Sequence, residues 1–92
     1  MDYLPIGSVV LLNEGEKTIM IYGRRQLSKD TGELYDYVAC LYPEGNISDE
    51  YTYLFNRSYI REVLFLGFQN EDEEEFLQVL QEAADNDSLE NE

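Results

Sequence analysis

The stretch that decides the fold is Tyr35-Asp-Tyr-Val-Ala-Cys-Leu-Tyr42, which runs into Pro43-Glu-Gly-Asn46. Alternate residues of a strand point to opposite faces, and after Asp36 both faces of this stretch carry apolar or aromatic groups. A strand with two apolar faces lies inside a curled or covered sheet. Because Pro43 donates no backbone hydrogen bond and Gly45 tolerates a positive φ, the strand ends there. We expect the other strands to pair around it.

The segments before this stretch predict two strands. Val9–Leu12 is an apolar run of strand length. Lys17–Tyr22 places Ile19 and Ile21 on one side, and a short run of turn residues joins it to the first strand as a hairpin. Gly23–Gln26 continues or frays this second strand. Short links of this kind favour a meander of the first three strands.

The segments after this stretch predict two more strands. Tyr51, Tyr53 and Phe55 recur at every second position, which favours a fourth strand. Asn56 has the residue type of an N-cap, so one helical turn is expected after it. Glu62–Phe68 is rich in apolar and β-forming residues and predicts the fifth strand.

The last segment has the period of a helix. One apolar stripe is formed by Phe76, Leu77, Leu80, Ala83 and Ala84. Asn70 with Glu73 resembles a capping box. We therefore expect a β-rich domain over residues 1–70, an acidic helix packed on it over residues 71–85, and a disordered acidic tail over residues 86–92. The fold class is α+β and mainly β: about five antiparallel strands in a small curled sheet or half-barrel, with one C-terminal amphipathic helix.

The composition excludes the common catalytic and metal sites. The chain contains no histidine and a single cysteine, Cys40, so it has no Ser-His-Asp or Cys-His set and no histidine or multi-cysteine metal site. Glu71–Glu75 lacks the spaced oxygen ligands and central glycine of a calcium loop. We expect a protein that is not an enzyme and that holds no cofactor and no metal.

The negative charge is concentrated at the C-terminus. The formal charge is −14, and residues 1–70 hold ten acids and six bases, or −4. Residues 71–92 hold ten acids and no base, which supplies the other −10. Nucleic-acid binding needs clustered Lys and Arg, so a protein partner is expected instead. With no apolar run of membrane-spanning length and no leader, we expect no membrane contact and a cytoplasmic location. The oligomeric state is left open.

Three features suggest partner-binding residues. Eight tyrosines are more than so small a domain buries fully, and tyrosine suits interfaces. The adjacent Arg24 and Arg25 either grip an anionic group or balance acidic neighbours such as Asp36. The helix stripe either packs on the strands or docks on a partner helix. The candidate residues are Tyr22, Arg24, Arg25, Tyr51, Tyr53, Phe76 and Leu80.

Four pieces together carry a family resemblance. They are Leu4-Pro-Ile-Gly-Ser-Val-Val-Leu-Leu12, Met20-Ile-Tyr-Gly-Arg24, the stretch from Tyr35 to Asn46, and Tyr53-Leu-Phe-Asn56 with Ile60, Val63 and Gly67-Phe68. In order and spacing they resemble a family of small bacterial proteins known as domain of unknown function 4176. The likeness covers Leu4 to Phe68.

The resemblance implies a setting and no catalytic residue. Members look to be encoded beside type VII secretion genes of Gram-positive bacteria, near large LXG toxins. This implies a cytosolic accessory, chaperone or targeting factor for an exported LXG-type effector. An immunity protein that neutralises a cognate toxin domain is the alternative, and the family pattern does not separate the two.

Overall fold

A computed structural model describes the backbone of residues 3–90 and the side chains of residues 3–86. The regular elements are β1 (Val9–Leu12), β2 (Ile19–Leu27), β3 (Leu34–Leu41), β4 (Tyr53–Phe55), β5 (Ile60–Phe65) and α1 (Glu71–Glu90). Two 3₁₀ turns, Asp49–Tyr51 and Arg57–Tyr59, flank β4.

The five strands form one antiparallel sheet in the order β4-β3-β2-β1-β5. The two outer strands do not pair with each other, so the sheet is open. This confirms the predicted mainly-β sheet with a C-terminal helix, and β1 to β3 form the expected meander. The stretch that begins at Tyr35 does not hold the middle of the sheet, however. That place belongs to β2, and β3 lies between β2 and β4.

One face of the sheet, called here the core face, carries the main hydrophobic cluster. Its buried members are Tyr3, Val10, Ile19, Ile21, Tyr37, Ala39, Phe55 and Leu80. The alternate residues Val38 and Cys40 of β3 are also buried, on the opposite face, and Cys40 is a free thiol. The prediction that β3 is apolar on both sides and buried is therefore correct.

A β-bulge in β2 decides which of its side chains reach the core face. Ile21 pairs with Ala39 and Gly23 with Val38, so Tyr22 is the extra residue. After this shift, Arg24 pairs with Tyr37 and lies on the core face. A Cβ at Gly23 would stand 2.6 Å from Val38 Cγ1, so the bulge is tightly packed there.

The region around β4 differs from the sequence expectation. Tyr51 lies in a 3₁₀ turn and not in a strand, because Ser48 caps that turn by accepting a hydrogen bond from the Glu50 N–H. The 3₁₀ turn after Asn56 exists, but Asn56 does not cap it. Its side-chain oxygen instead accepts a hydrogen bond from the Asp36 N–H at 3.0 Å.

The helix begins where it was expected. Asn70 Oδ1 accepts a hydrogen bond from the Glu73 N–H at 3.1 Å, which is one half of the predicted capping box. The Glu73 carboxylate turns to Arg24 instead of returning to Asn70. The helical backbone continues through Glu90, beyond the predicted end at residue 85, and residues 91–92 of the predicted tail lie outside the described residues.

Candidate functional site

The residues predicted to bind a partner do not form one surface. Tyr22 lies on the sheet face opposite the core face and lines an open groove of about 620 Å³ with Val38 and Leu54. Tyr51 is exposed in its 3₁₀ turn, whereas Tyr53 is half-buried against the core. Arg25 lies in β2 with a left-handed backbone, at φ 50°.

Arg24, Phe76 and Leu80 meet, but they attach α1 to the sheet. Arg24 Nη2 donates to Glu73 Oε1 at 2.9 Å and Nη1 donates to the Leu4 carbonyl at 3.3 Å. The same guanidinium stands 5.4 Å from the centroid of the Phe76 ring, and Leu80 is buried in the core cluster. The two side chains of the Arg24–Glu73 pair are almost fully buried. We call this group the helix anchor.

Arg24 of the basic pair thus balances an acidic residue, Glu73. The Asp36 carboxylate accepts a hydrogen bond from the Arg57 N–H at 2.9 Å and lies 3.6 Å from the Arg57 side chain. The Arg57 guanidinium in turn stands 5.0 Å from the centroid of the Tyr3 ring.

A different surface is both apolar and exposed. It consists of Val63, Leu64, Phe65, Leu66 and Phe68, and we call it the β5 edge surface. Phe65 is 62% exposed and Phe68 is 80% exposed. Val63 pairs with Val10 of the core face and Phe65 with Val9 of the opposite face, so the exposed apolar side chains lie on both faces at this edge. Exposed apolar groups concentrated in one place often mark interaction sites on small proteins.

The position of β5 in the sheet explains this exposure. The strand pairs with β1 on one side, through Val9 with Phe65 and Val10 with Val63, and no other strand within residues 3–90 lies beyond it. The pairing shifts register twice, so Arg61 and Leu64 are skipped. The backbone groups that point away from β1 are left open.

The end of this surface is held against the start of β1. The Gly67 N–H donates to the buried Ser8 Oγ at 3.0 Å. A Cβ at Gly67 would stand 2.0 Å from the Ile6 carbonyl oxygen, so only glycine allows the two segments to approach this closely. This contact fixes the backbone from which Phe68 projects.

An apolar groove of about 490 Å³ lies beside the β5 edge surface. Leu64 and Phe65 line one part of it, and Val9, Met20 and Tyr42 line another. It lies on the sheet face opposite the core face, because it includes Val9 and Met20 and not their buried neighbours Val10 and Ile19. The groove could receive an apolar side chain.

The start of α1 carries exposed carboxylates and follows the β5 edge surface closely along the chain. Glu71, Asp72, Glu74 and Glu75 are exposed, whereas Glu73 is taken up in the helix anchor. Only two residues separate Phe68 from α1. An apolar surface is therefore bordered by negative charge.

Tyr37 is the buried titratable group at the centre of the core face. Burial raises the pKa of its phenol above the usual 10.0, although the Leu4 N–H, which donates to its oxygen at 2.9 Å, and nearby Arg57 act in the opposite direction. At the surface, a hydrogen bond from Lys17 lowers the pKa of Glu44, and a hydrogen bond to Glu33 raises that of Tyr35. None of these groups borders the β5 edge surface.

Within the described side chains, no group of three His, Cys, Asp or Glu residues is placed to hold a metal ion. No helix in the part of the chain that the structure describes is long and apolar enough to cross a membrane.

A comparison with protein families identifies a match. The model of the family described as Domain of unknown function (DUF4176) matches residues 3–76. The chain belongs to this family. No curated protein and no solved structure matches it.

The DUF4176 match confirms the resemblance carried by residues 4–68 and extends it. It includes all five strands and the start of α1 up to Phe76. The β5 edge surface and the pairing of Arg24 with Glu73 therefore lie within the family region, whereas Leu80 lies beyond it.

The sequence does not single out the β5 edge surface, because an apolar run of strand length does not show whether the strand lies inside the sheet or at its edge. A signal is present nonetheless. Glu62–Phe68 lacks the alternation of a strand with one solvent-exposed face, and a run of acids begins after two further residues. Hydrophobicity alone does not separate an inner strand from an edge strand.

Proposed function

We propose that this chain is a non-enzymatic, cytoplasmic protein-binding module that serves as an accessory, chaperone or targeting factor for a type VII-secreted effector of the LXG type. The observation that supports binding is the exposure of the β5 edge surface, whose apolar side chains are left in water at the end of the sheet. The absence of histidine from the whole sequence supports a role without catalysis. The secretion setting comes from the family resemblance.

The charge of the chain supports a protein partner over a nucleic acid. Twenty acids oppose six bases, so phosphate groups would be repelled. Of those bases, Arg24 is buried against Glu73 and Lys17 is paired with Glu44. An effector segment with basic residues would be attracted instead.

The test is co-purification from the native cytosol. The tagged full chain should retain an LXG-type effector, identified by mass spectrometry, and binding should map to the effector's N-terminal targeting region. The doubly substituted variant Phe65→Ser, Phe68→Ser should lose it, because it removes apolar contacts without touching the core. Leu27→Ser is the matched control, since Leu27 is 64% exposed at the end of β2 and outside the surface. Full retention by the double variant would contradict the role given to this surface.

The concentration of acid in residues 71–92 favours a second candidate, an immunity protein that covers a basic toxin domain. Co-expression separates the two. Protection of cells against the isolated toxin domain would favour immunity, whereas loss of effector export when the protein is absent, with no protection in the co-expression, would favour the accessory role.

A further inference from the structure

The β5 edge surface offers an open backbone, apolar side chains and neighbouring negative charge together. We propose that it binds a short extended segment of the partner, apolar and preceded by lysine or arginine residues, which pairs with β5 as an added antiparallel strand. This inference rests on the proposed function and names the chemistry of the segment that the surface takes.

The extended conformation of the segment follows from the backbone of β5. The strand has β1 on one side and, in the part of the chain that the structure describes, no strand on the other, so alternate N–H and C=O groups face outward. An added strand satisfies such groups, and the side chains beside it give selectivity. The opposite edge is a poorer template, because β4 has only three residues.

The apolar character of the segment follows from what surrounds that backbone. Val63, Leu64 and Phe65 of β5 all have large exposed fractions. On the face where Phe65 lies, the groove with Val9 and Met20 stands next to the path of the added strand. Partner side chains on this face would cover Phe65 and reach the groove.

The two register shifts limit how long this pairing runs. A bulge bends an edge strand and interrupts regular pairing, which protects it against indiscriminate association. Because Arg61 and Leu64 are skipped residues, a regular outer ladder fits only a few residues at a time. The partner segment is therefore short, and its affinity depends on side-chain contacts and charge as well as on backbone hydrogen bonds.

The basic residues follow from the position of the acidic helix start. A chain extends at most about 3.5 Å per residue, so the Cα atom of Glu71 lies within about 11 Å of that of Phe68. The exposed carboxylates of Glu71, Asp72 and Glu74 are thus within reach of a segment that passes Phe68. In an antiparallel strand the N-terminal side lies at this end of β5, which places the cationic residues before the apolar ones.

A second copy of the chain fits the surface less well. Each copy carries a formal charge of −14, so self-association would join two surfaces with the same excess of acid. The β5 edge surface of a second copy contains no lysine or arginine, so it cannot pair with the carboxylates at the start of α1. Charge complementarity therefore selects a heterologous, cationic segment.

The experiment titrates the ¹⁵N-labelled full chain with synthetic peptides of about ten residues, which cover an ordinary strand of about five or six residues and the lysines beside it. The probe has lysines followed by alternating valine and phenylalanine, and the matched peptide has the same residues with the lysines last. We expect amide shifts confined to residues 60–75 and binding at least about tenfold tighter for the lysine-first order, because charge pairs form at only one end. N-methylation at every second residue of the probe should abolish binding when the methylated N–H groups are those that face β5. Methylation of the other alternate set should preserve binding.

Charge variants of the protein supply the control. Glu71→Lys with Asp72→Lys should weaken binding of the probe by about tenfold or more and reduce its salt dependence. Glu82→Lys with Asp85→Lys makes the same charge change at a distance, at about 1.5 Å per residue along α1, and should change it far less. The spectrum of each variant shows whether its fold is kept.

The outcomes are distinguishable. Equal binding of both peptide orders, shifts centred elsewhere, or no binding of any peptide would overturn the strand-addition inference. So would a dimer in sedimentation that Phe65→Ser dissolves, because the surface would then belong to a second copy. If the peptides fail but the natural chain still retains the full effector and the Phe65→Ser, Phe68→Ser variant loses it, the proposed function stands without this inference. If the natural chain does not retain the effector either, both fail.

Discussion

The two edge strands are both apolar in sequence, yet one buries its phenylalanine and the other exposes it. Phe55 in β4 is 4% exposed, and its ring centroid stands 5.6 Å from that of Tyr37. Phe65 in β5 is 62% exposed. β4 stops after three residues between two 3₁₀ turns, whereas β5 has six and continues as an apolar segment. The β4 edge is short and its phenylalanine is buried in the core cluster. The β5 edge is longer and its apolar side chains are exposed to solvent.

The largest expected effect separates these two phenylalanines. Phe55→Ala should lower the free energy of unfolding by about 3–5 kcal/mol, because it leaves a cavity in the core cluster. Phe65→Ala should change it by less than about 1 kcal/mol, because the side chain is already in water. Urea denaturation measures both. Equal losses would mean that β5 is a structural edge like β4.

The next effect concerns the Arg24–Glu73 pair, which holds α1 on the core face. Arg24→Met should lower the free energy of unfolding by about 3 kcal/mol, because it leaves the buried Glu73 carboxylate without its partner. The loss should be accompanied by exchange broadening of α1 amides, since the helix anchor is broken.

The matched control is Arg24→Met combined with Glu73→Leu. Replacing both partners removes the unpaired charge, so the double variant should recover much of the stability that the single variant loses. If the single variant is as stable as the natural chain, the anchor does not hold α1 on the core face.

A smaller effect is expected at Tyr37. Tyr37→Phe should lower the free energy of unfolding by about 1–2 kcal/mol, because the Leu4 N–H loses its acceptor. Since burial raises the Tyr37 pKa above 10.0, its contribution is complete below pH 10.0 and declines as the pH rises further, when the unfolded state releases its proton first. The variant should show a flatter alkaline stability profile. An unchanged profile would contradict a buried, protonated phenol.

The smallest effect is expected at the surface. Lys17 Nζ donates to Glu44 at 2.9 Å and lowers its pKa, so the pair contributes above the ordinary pKa of 4.5 and the contribution is lost as the pH falls through the lowered value. Lys17→Gln should return the Glu44 pKa towards 4.5 in an NMR titration while leaving the urea midpoint at neutral pH unchanged. A clear loss of stability would show that the exposed Lys17–Glu44 pair stabilises the fold as the buried Arg24–Glu73 pair does.

Local pattern predicted β1 and β3 closely because their signals are local, whereas β5 spans Ile60–Phe65 and not the predicted Glu62–Phe68. Val9–Leu12 has the predicted bounds, and β3 differs from its predicted span by one residue at each end. The helix start at Asn70 was also predicted from its cap. These features depend on neighbouring residues along the chain.

What the sequence did not predict depends on distant pairing. The partner of Arg24 lies 49 positions away in α1, and no local pattern identifies it. The exposure of β5 depends on its place in the sheet order, which leaves an apolar strand at an edge. Phe76 and Leu80 are predicted to bind a partner because they are apolar. In the structure these side chains contact Arg24 and the core cluster as part of the helix anchor.

The bulge at Tyr22 makes the attachment of the helix a matter of parity. Side chains of a strand alternate, so a single added or removed residue exchanges the two faces for everything that follows. Ile21 and Arg24 are three positions apart, so in a regular strand they would lie on opposite faces of the sheet. Because Tyr22 is the extra residue of a bulge, both lie on the core face. If the same residues formed a regular strand without the bulge, Arg24 would turn to the far side of the sheet, and the chain would keep all of its chemical groups and lose the meeting of Arg24 with Glu73.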